Sequence, residues 1–255
     1  MDFTTCHAVV TGGASGLGAA TVAHIVTAGG KVTVLDCDAE RGHTTAAKFG
    51  DNARFCQLDV TEEQGMVNAI AGSIEAYGPL TLAVACAGIG TPGRILSRKG
   101  PLPLETYKTV VNVNLIGTFN TMKAAADAMQ SNEPDADGSR GVMVCTSSVA
   151  AYEGQVGQAA YASSKGGIVG LTISAARDLA QFGIRVMTIA PGLFLTPLMA
   201  GLPEDVQASL AAATPFPQRL GSAEEFARLV GTIYENNMLN GETIRLDGAV
   251  RLAAR

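Results

Sequence analysis

Short apolar runs alternate with longer, Ala-rich stretches from one end of this chain to the other. HAVVTG (7–12), KVTVLD (31–36), RFCQLDV (54–60), LTLAVACAG (80–88), GVMVCTSS (141–148), IRVMTIAP (184–191) and ETIRLDG (242–248) have the length and β-branched content of strands. Most are continuously hydrophobic rather than alternating, as expected of strands buried on both faces of a parallel sheet. Between them, 16–29, 62–77, 104–130, 155–182 and 222–236 read as helices. The alternation predicts an α/β fold: a doubly wound, mostly parallel seven-stranded sheet with helices on both faces.

Nothing in the 255 residues reads as a linker, and no fixed period repeats. The polar stretch SNEPDADGSR (131–140) is a turn between a helix and the next strand. One domain over 1–255 is expected, with loops at about 91–107 and 191–217 available to a substrate. The charge-free run VMTIAPGLFLTPLMAGLP (186–203) is long enough to raise a membrane span, but Pro191, Pro197 and Pro203 break it. It reads as a buried strand followed by an apolar loop, so no membrane partner is expected.

Composition narrows the classes further. Hydrophobic residues make up 47% and charged residues 16%, which supplies a sizeable core and excludes low-complexity disorder. A net charge of −5 does not suit a general nucleic-acid-binding surface. Cys6, Cys37, Cys56, Cys86 and Cys145 are scattered, with no CxxC, and read as reduced thiols. The opening MDFTTCHAVV has no positive n-region, so a cytoplasmic location is expected. His7, His24 and His43 form no ligand spacing, and no metal site is expected. No GxSxG elbow is present, which argues against a serine hydrolase.

TGGASGLG (11–18) follows the first strand and opens a helix. Gly12, Gly16 and Gly18 allow a tight turn, close backbone approach to a pyrophosphate, and helix-on-strand packing. The helix start, with Ser15 and Leu17 between those glycines, presents free N–H groups to phosphates. A Rossmann-type nucleotide site follows. Asp36 ends the second strand 18 residues beyond Gly18, where a carboxylate accepts from ribose hydroxyls and repels a 2′-phosphate. A turn or helix-cap role would place an aspartate there equally well. With no Arg or Lys immediately after it in LDCDAE, NAD is favoured over NADP. Asp59 and Val60 end the third strand near the expected adenine, and Cys86, Ala87 and Gly88 end the fourth.

Tyr161 and Lys165, in YASSK (161–165), share one helix face a turn apart. A tyrosine with pKa about 10 is a poor base at neutral pH, and a neighbouring ammonium favours its phenolate. Such a pair accepts a proton from an alcohol as hydride leaves to a cofactor. Ser148 follows the fifth strand, at the sheet edge where such folds bind ligands, and its hydroxyl is placed to hold a substrate oxygen.

The glycine loop, Ser148, YxxxK and NVNLIGT (112–118) together resemble the short-chain dehydrogenase/reductase family over the whole chain. The resemblance implies that Tyr161 is the acid/base, that Lys165 lowers its pKa and holds the nicotinamide ribose, and that Asn114 supports a water-mediated relay with Lys165. It selects Ser148, 13 positions before Tyr161, with Ser147 as the fallback. In APGLFLTP (190–197) it implies contacts from Pro191, Phe194 and Thr196 to the nicotinamide. One departure stands out: many members carry Asn-Asn-Ala-Gly where this chain has Ala85-Cys86-Ala87-Gly88, which removes the asparagine contacts of that corner.

The stretches 132–172, 183–199, 215–221 and 239–251 are similar to a branch of the family that oxidises 3-hydroxyacyl-CoA. That likeness implies an NAD-dependent oxidation of a short or branched substrate such as 2-methyl-3-hydroxybutyryl-CoA, and a homotetramer. Within 91–107, Arg94, Arg98 and Lys99 are placed to meet CoA phosphates, though an ordinary solvated loop carries such residues too. Gln155 and Gln158 stand near the catalytic pair as candidate substrate contacts, with helix-start duty equally open. A hydroxysteroid or other secondary alcohol is the alternative substrate. An RNA-processing scaffold, a role known within that branch, is disfavoured by the acidic charge and the complete Ser/Tyr/Lys/Asn set.

Overall fold

The structure, a computed structural model, describes residues 1–196, 199, 201 and 203–254. Strands β1 (His7–Thr11), β2 (Lys31–Asp36), β3 (Ala53–Gln57), β4 (Leu82–Ala85), β7 (Gly141–Thr146), β8 (Ile184–Pro191) and β9 (Thr243–Leu246) form one sheet. Its order is β3-β2-β1-β4-β7-β8-β9, and every neighbouring pair is parallel. The chain runs outward from β1 through β2 to β3, then crosses back to β4 on the other side of β1. That reversal opens a crevice at the carboxyl ends of β1 and β4, where ligands bind in doubly wound sheets.

Alternate residues of each strand enter different cores. Val10, Val34, Val84, Val144 and Met187 pack into one, while Val9, Leu35, Ala83, Met143, Cys145 and Val186 pack into the other. Both faces are dry, which is why these strands are continuously apolar in sequence. The helices are α1 (Gly16–Thr27), α2 (Ala39–Ala47), α3 (Glu63–Tyr77), α4 (Leu104–Val111), α5 (Gly117–Met129), α6 (Ala159–Ala180), α7 (Glu204–Ala212) and α8 (Ala223–Glu235). Contacts join α1 to α8 through the first core, and α3 to α5 on the opposite face. The start of α8 is fixed by a capping box between Ser222 and Glu225, and Arg219 clamps the same glutamate at 2.8 Å through both terminal nitrogens.

Several boundaries differ from those expected. The stretch 104–130 is not one regular helix: a π-helical turn, Asn112–Ile116, joins α4 to α5. The fourth strand stops at Ala85, leaving Cys86, Ala87 and Gly88 as loop. The helix expected from 155 begins at Ala159, because Gly157 takes φ 93 and turns the chain first. Helices α2 and α7 were not expected. Of the loop at 191–217, Pro197, Leu198, Ala200 and Leu202 lie outside the described residues. In 91–107 the chain forms a two-stranded antiparallel hairpin, β5 (Leu96–Ser97) with β6 (Gly100–Pro101). Among the described residues no helix is long and apolar enough to cross a membrane.

Candidate active site

A cleft of about 660 Å³ follows the carboxyl ends of β1, β2, β4, β7 and β8, within the size range of small-molecule and cofactor sites. Its first end is built on glycine. Gly12 has φ +64, and a Cβ there would lie 2.7 Å from the Ala87 backbone nitrogen. A Cβ on Gly18 would overlap the Gly12 carbonyl oxygen, so this glycine lets α1 press against the turn. Ser15 is the N-cap of α1, yet its side chain makes no capping hydrogen bond, and the first turn has no acidic residue. Gly16, Leu17 and Gly18 therefore open their backbone end of the helix onto the cleft. A diphosphate fits there.

At the tip of β2, Asp36 accepts hydrogen bonds from Ala14 N and Asp38 N, both at 3.1 Å. Two fixed N–H groups aim its carboxylate and leave lone pairs for a ligand. Asp59 and Val60 line the same end, with Asp59 Oδ1 held by Thr61 N at 2.9 Å. Leu35, Leu58, Cys37 and Arg41 complete this end and were not foreseen. The two leucines carried no signal beyond ordinary core composition, and Arg41 stood too far along the chain from Asp36 to attract notice.

At the other end, β7 delivers two serines with different duties. Ser147 Oγ donates to the Lys165 carbonyl oxygen at 2.8 Å and is buried. Ser148, in extended backbone one residue on, lines the cleft together with Tyr161, and its Oγ accepts from Ala150 N at 3.1 Å. Ser148 is thus the cleft hydroxyl and Ser147 a strut. Lys165 follows Tyr161 by one turn of α6; its Nζ donates to the Thr146 carbonyl oxygen at 2.7 Å and lies 5.7 Å from the Tyr161 ring centroid.

The electrostatics of that pair depart from the expectation. Burial pushes the Tyr161 phenol above its ordinary value, and the Ser148 hydroxyl only partly opposes it. Burial draws the Lys165 ammonium down to about 8, opposed by the nearby Cys86 and Cys145 thiols. Those thiols are themselves pushed up by burial, to about 11 and about 12, and so carry no counter-charge at neutral pH. For Tyr161, the cost of burying the phenolate outweighs the one group that opposes it, the Ser148 hydroxyl.

Asn114 sits on the π-helical turn and is fully buried. Its Oδ1 accepts from Ile89 N at 2.8 Å, and its Nδ2 donates to Ile89 O at 2.9 Å and Ser164 Oγ at 3.0 Å. It thereby pins the loop after β4 to α6. A Cβ on Gly88 would lie 3.2 Å from Asn114 Oδ1 and 3.5 Å from Lys165 Nζ, so these two residues flank the same glycine. The corner lacking the family's usual asparagines is tied by other bonds: Cys86 N donates to Thr11 O at 3.1 Å, and Thr146 Oγ1 to Cys86 Sγ at 3.5 Å.

Pro191, Phe194 and Thr196 line the cleft as expected, with Met199 beside them. The substrate candidates fare differently. Gln155 Nε2 donates to Ala253 O at 3.0 Å, and Gln155 N donates to Gln158 Oε1 at 3.0 Å. Both side chains bond within the turn and to the carboxyl-terminal segment, and neither is among the residues lining this cleft. Arg98 and Lys99 ride on the exposed hairpin, outside the cleft lining.

A glycine-turned helix start, a carboxylate at the tip of β2 and a Ser/Tyr/Lys group in one crevice are the arrangement of an oxidoreductase. The short chain dehydrogenase family model matches residues 6–207, and this chain belongs to that family, whose dehydrogenases use NAD(P). It is 52% identical over 247 residues to the human 3-hydroxyacyl-CoA dehydrogenase type-2, covering 96% of this chain and 95% of that protein. The Drosophila melanogaster protein of the same name is 48% identical over 246 residues, covering 96% of each chain. A crystal structure of 3-hydroxyacyl-CoA dehydrogenase type-2 from Mycobacterium avium superposes with a TM-score of 0.96 at 42% identity, over 99% of this chain and 98% of that one.

Proposed function

We propose that the protein oxidises the secondary alcohol of a short or branched 3-hydroxyacyl-CoA to the ketone with NAD⁺. The observation that carries the reaction is the convergence of Ser148, Tyr161 and the buried Lys165 on one cleft. Bound NAD⁺ supplies the hydride acceptor. Ser148 orients the alcohol oxygen with its hydroxyl; Tyr161, reacting from its phenolate form, takes the alcohol proton at Oη and becomes the phenol, while the carbinol hydrogen leaves as hydride. Lys165, still an ammonium at neutral pH, reduces the cost of forming the phenolate from which Tyr161 reacts, and is the residue to hold the nicotinamide ribose. Asn114 holds the loop beside Lys165 and supports a water-borne path for the proton to leave.

Asp36 favours NAD⁺ by repelling a 2′-phosphate and accepting from ribose hydroxyls. For the acyl-CoA, the support is the relatives' activity together with the hairpin's placement. Gly93 N donates to Gly157 O at 2.8 Å, which ties the hairpin's base to the turn preceding Tyr161. Arg94, Arg98 and Lys99 on it make no ion pair among the described residues. Free cations beside a substrate entrance suit the phosphates of coenzyme A. A homotetramer acting in the cytoplasm, without nucleic-acid partners, completes this reading.

The test is NADH formation by purified protein with 3-hydroxybutyryl-CoA, its 2-methyl-branched analogue and estradiol, with Tyr161→Phe alongside. Acyl-CoA turnover lost in the variant supports the reading. Turnover of the steroid alone would transfer the same chemistry to a different alcohol.

A further inference from the structure

The chain between β8 and α8 is fastened together at its two ends. Gly221 N donates to Leu193 O and Leu195 N donates to Gly221 O, both at 2.8 Å, making an isolated parallel bridge between Phe194 and Gly221. Gly221 directly precedes the capping box of Ser222 and Glu225, and follows Arg219, which clamps the same glutamate. The bridge therefore stands on a fixed helix start. Phe194 is 7% exposed and lines the cleft beside Pro191 and Thr196. It also lines a smaller cavity of about 110 Å³, with Thr214, Pro217 and Leu246.

Gly221 itself is not part of the cleft lining. A Cβ on it would lie 2.8 Å from Cζ of Phe194 and 2.9 Å from Cε1 and Cε2, so the outer edge of that ring takes the place of a side chain at 221. No positive φ calls for glycine here, unlike Gly12 or Gly16, and the backbone would accept alanine. The three atoms nearest an added methyl all belong to this one ring. The backbone under the ring cannot retreat, because the residues on both sides of Phe194 are bonded to Gly221.

We propose that Gly221 is a positioning residue for the nicotinamide end of the cleft, its missing side chain being the seat of the Phe194 ring. This rests on the nucleotide reading, in which Phe194 meets the nicotinamide. A close-packed ring with its backbone pinned has one place to be, and a cofactor ring docked beside it inherits that placement. A methyl at 221 drives the ring toward the cleft or toward the smaller cavity. Either movement changes the surface offered to the nicotinamide, whereas the diphosphate and adenosine ends are built on β1 and β2. Hydride transfer is sensitive to such placement, since a shift of about 1 Å costs about 100-fold in rate.

Calorimetric titration with NAD⁺ and with ADP-ribose, which lacks only the nicotinamide, tests this without a substrate. Four proteins are compared: wild type, Gly221→Ala, Phe194→Leu and the double variant. Leucine has none of the three ring atoms that the alanine methyl would meet. Gly221→Ala should weaken NAD⁺ about tenfold while moving ADP-ribose by no more than about twofold. In the Phe194→Leu background the same substitution should move NAD⁺ by no more than about twofold, a rescue that a merely structural glycine would not give. Equal losses on the two probes, an undiminished NAD⁺ affinity in Gly221→Ala, or a loss that persists without the ring would each overturn the role of Gly221. Should Gly221→Ala fail to fold, the leucine background decides. A folded double variant that matches Phe194→Leu on both probes identifies the ring as the obstacle and supports the proposal, and an unfolded one overturns it. A wild type that binds neither probe would instead remove the nucleotide reading, and the proposal with it.

Discussion

Lys165 Nζ donates to the carbonyl oxygen of Thr146 at 2.7 Å, tying the middle of the catalytic helix to the last residue of β7. The lysine is 4% exposed and its ammonium is drawn by burial to about 8, from an ordinary 10.5. Between those values the unfolded chain binds a proton that the folded chain does not, so stability supplied at this position rises with pH across that window. Below about 8 both states are protonated and the burial cost is constant, on the order of 3 kcal/mol. Lys165→Met removes the titration. Urea unfolding of both proteins at several pH values should show the wild type gaining on the variant above about pH 8. Parallel curves would mean that the ammonium is not penalised.

Ser147 and Ser148 are adjacent, but their hydroxyls do different work, and substitution should separate them. Ser147→Ala leaves the Lys165 carbonyl without its 2.8 Å partner and is expected to cost about 1 kcal/mol of stability with modest loss of activity. Ser148→Ala removes the hydroxyl beside Tyr161 and should lower kcat/KM by about 100-fold at unchanged melting temperature. Interchanged outcomes would reverse the assignment of the two serines.

Gly18→Ala should be disabling for a purely geometric reason. A Cβ there overlaps the Gly12 carbonyl oxygen, which is backbone and cannot swing aside. The turn must open, moving the start of α1 away from the place where a diphosphate would sit. The expected result is a loss of about 2 kcal/mol or more in unfolding free energy, with NAD⁺ affinity down at least about tenfold. A variant with wild-type Kd and melting temperature would show that the turn is not tight.

The residues legible from sequence were those with chemistry at a strand's carboxyl end, Asp36, Asp59 and Ser148, and the pair Tyr161 and Lys165 one turn apart on α6. Each stands against an apolar background, and the parallel sheet brings all the strand ends to one edge. Arg41 was not legible, because AERGHTTAA has too few apolar residues to announce α2 as a helix. Without that helix nothing brings Arg41 to the cleft that Asp36 lines. The π-helical turn at Asn112–Ile116 left no trace in hydrophobic spacing either, although it decides where Asn114 points. The turn that occupies Gln155 and Gln158 was not legible either: Gly157 turns the chain there, and their side chains bond to each other and to Ala253.

The hairpin supplies the sharpest division between acyl-CoA and a plain alcohol. Arg98 and Lys99 lie outside the cleft lining, so their removal should not disturb Ser148, Tyr161 or Lys165. If the CoA phosphates sit against them, Arg98→Ala with Lys99→Ala removes charge-assisted contacts made equally in ground and transition states. KM for 3-hydroxybutyryl-CoA should then rise about tenfold at nearly constant kcat, and the rise should shrink as salt screens the wild-type contacts. KM for a CoA-free secondary alcohol should stay within about twofold, since that substrate has no phosphate to lose. Equal changes for both substrates would assign the hairpin to the shape of the entrance. No change for either would make it ordinary solvated surface, and the acyl-CoA reading would then need another cationic site.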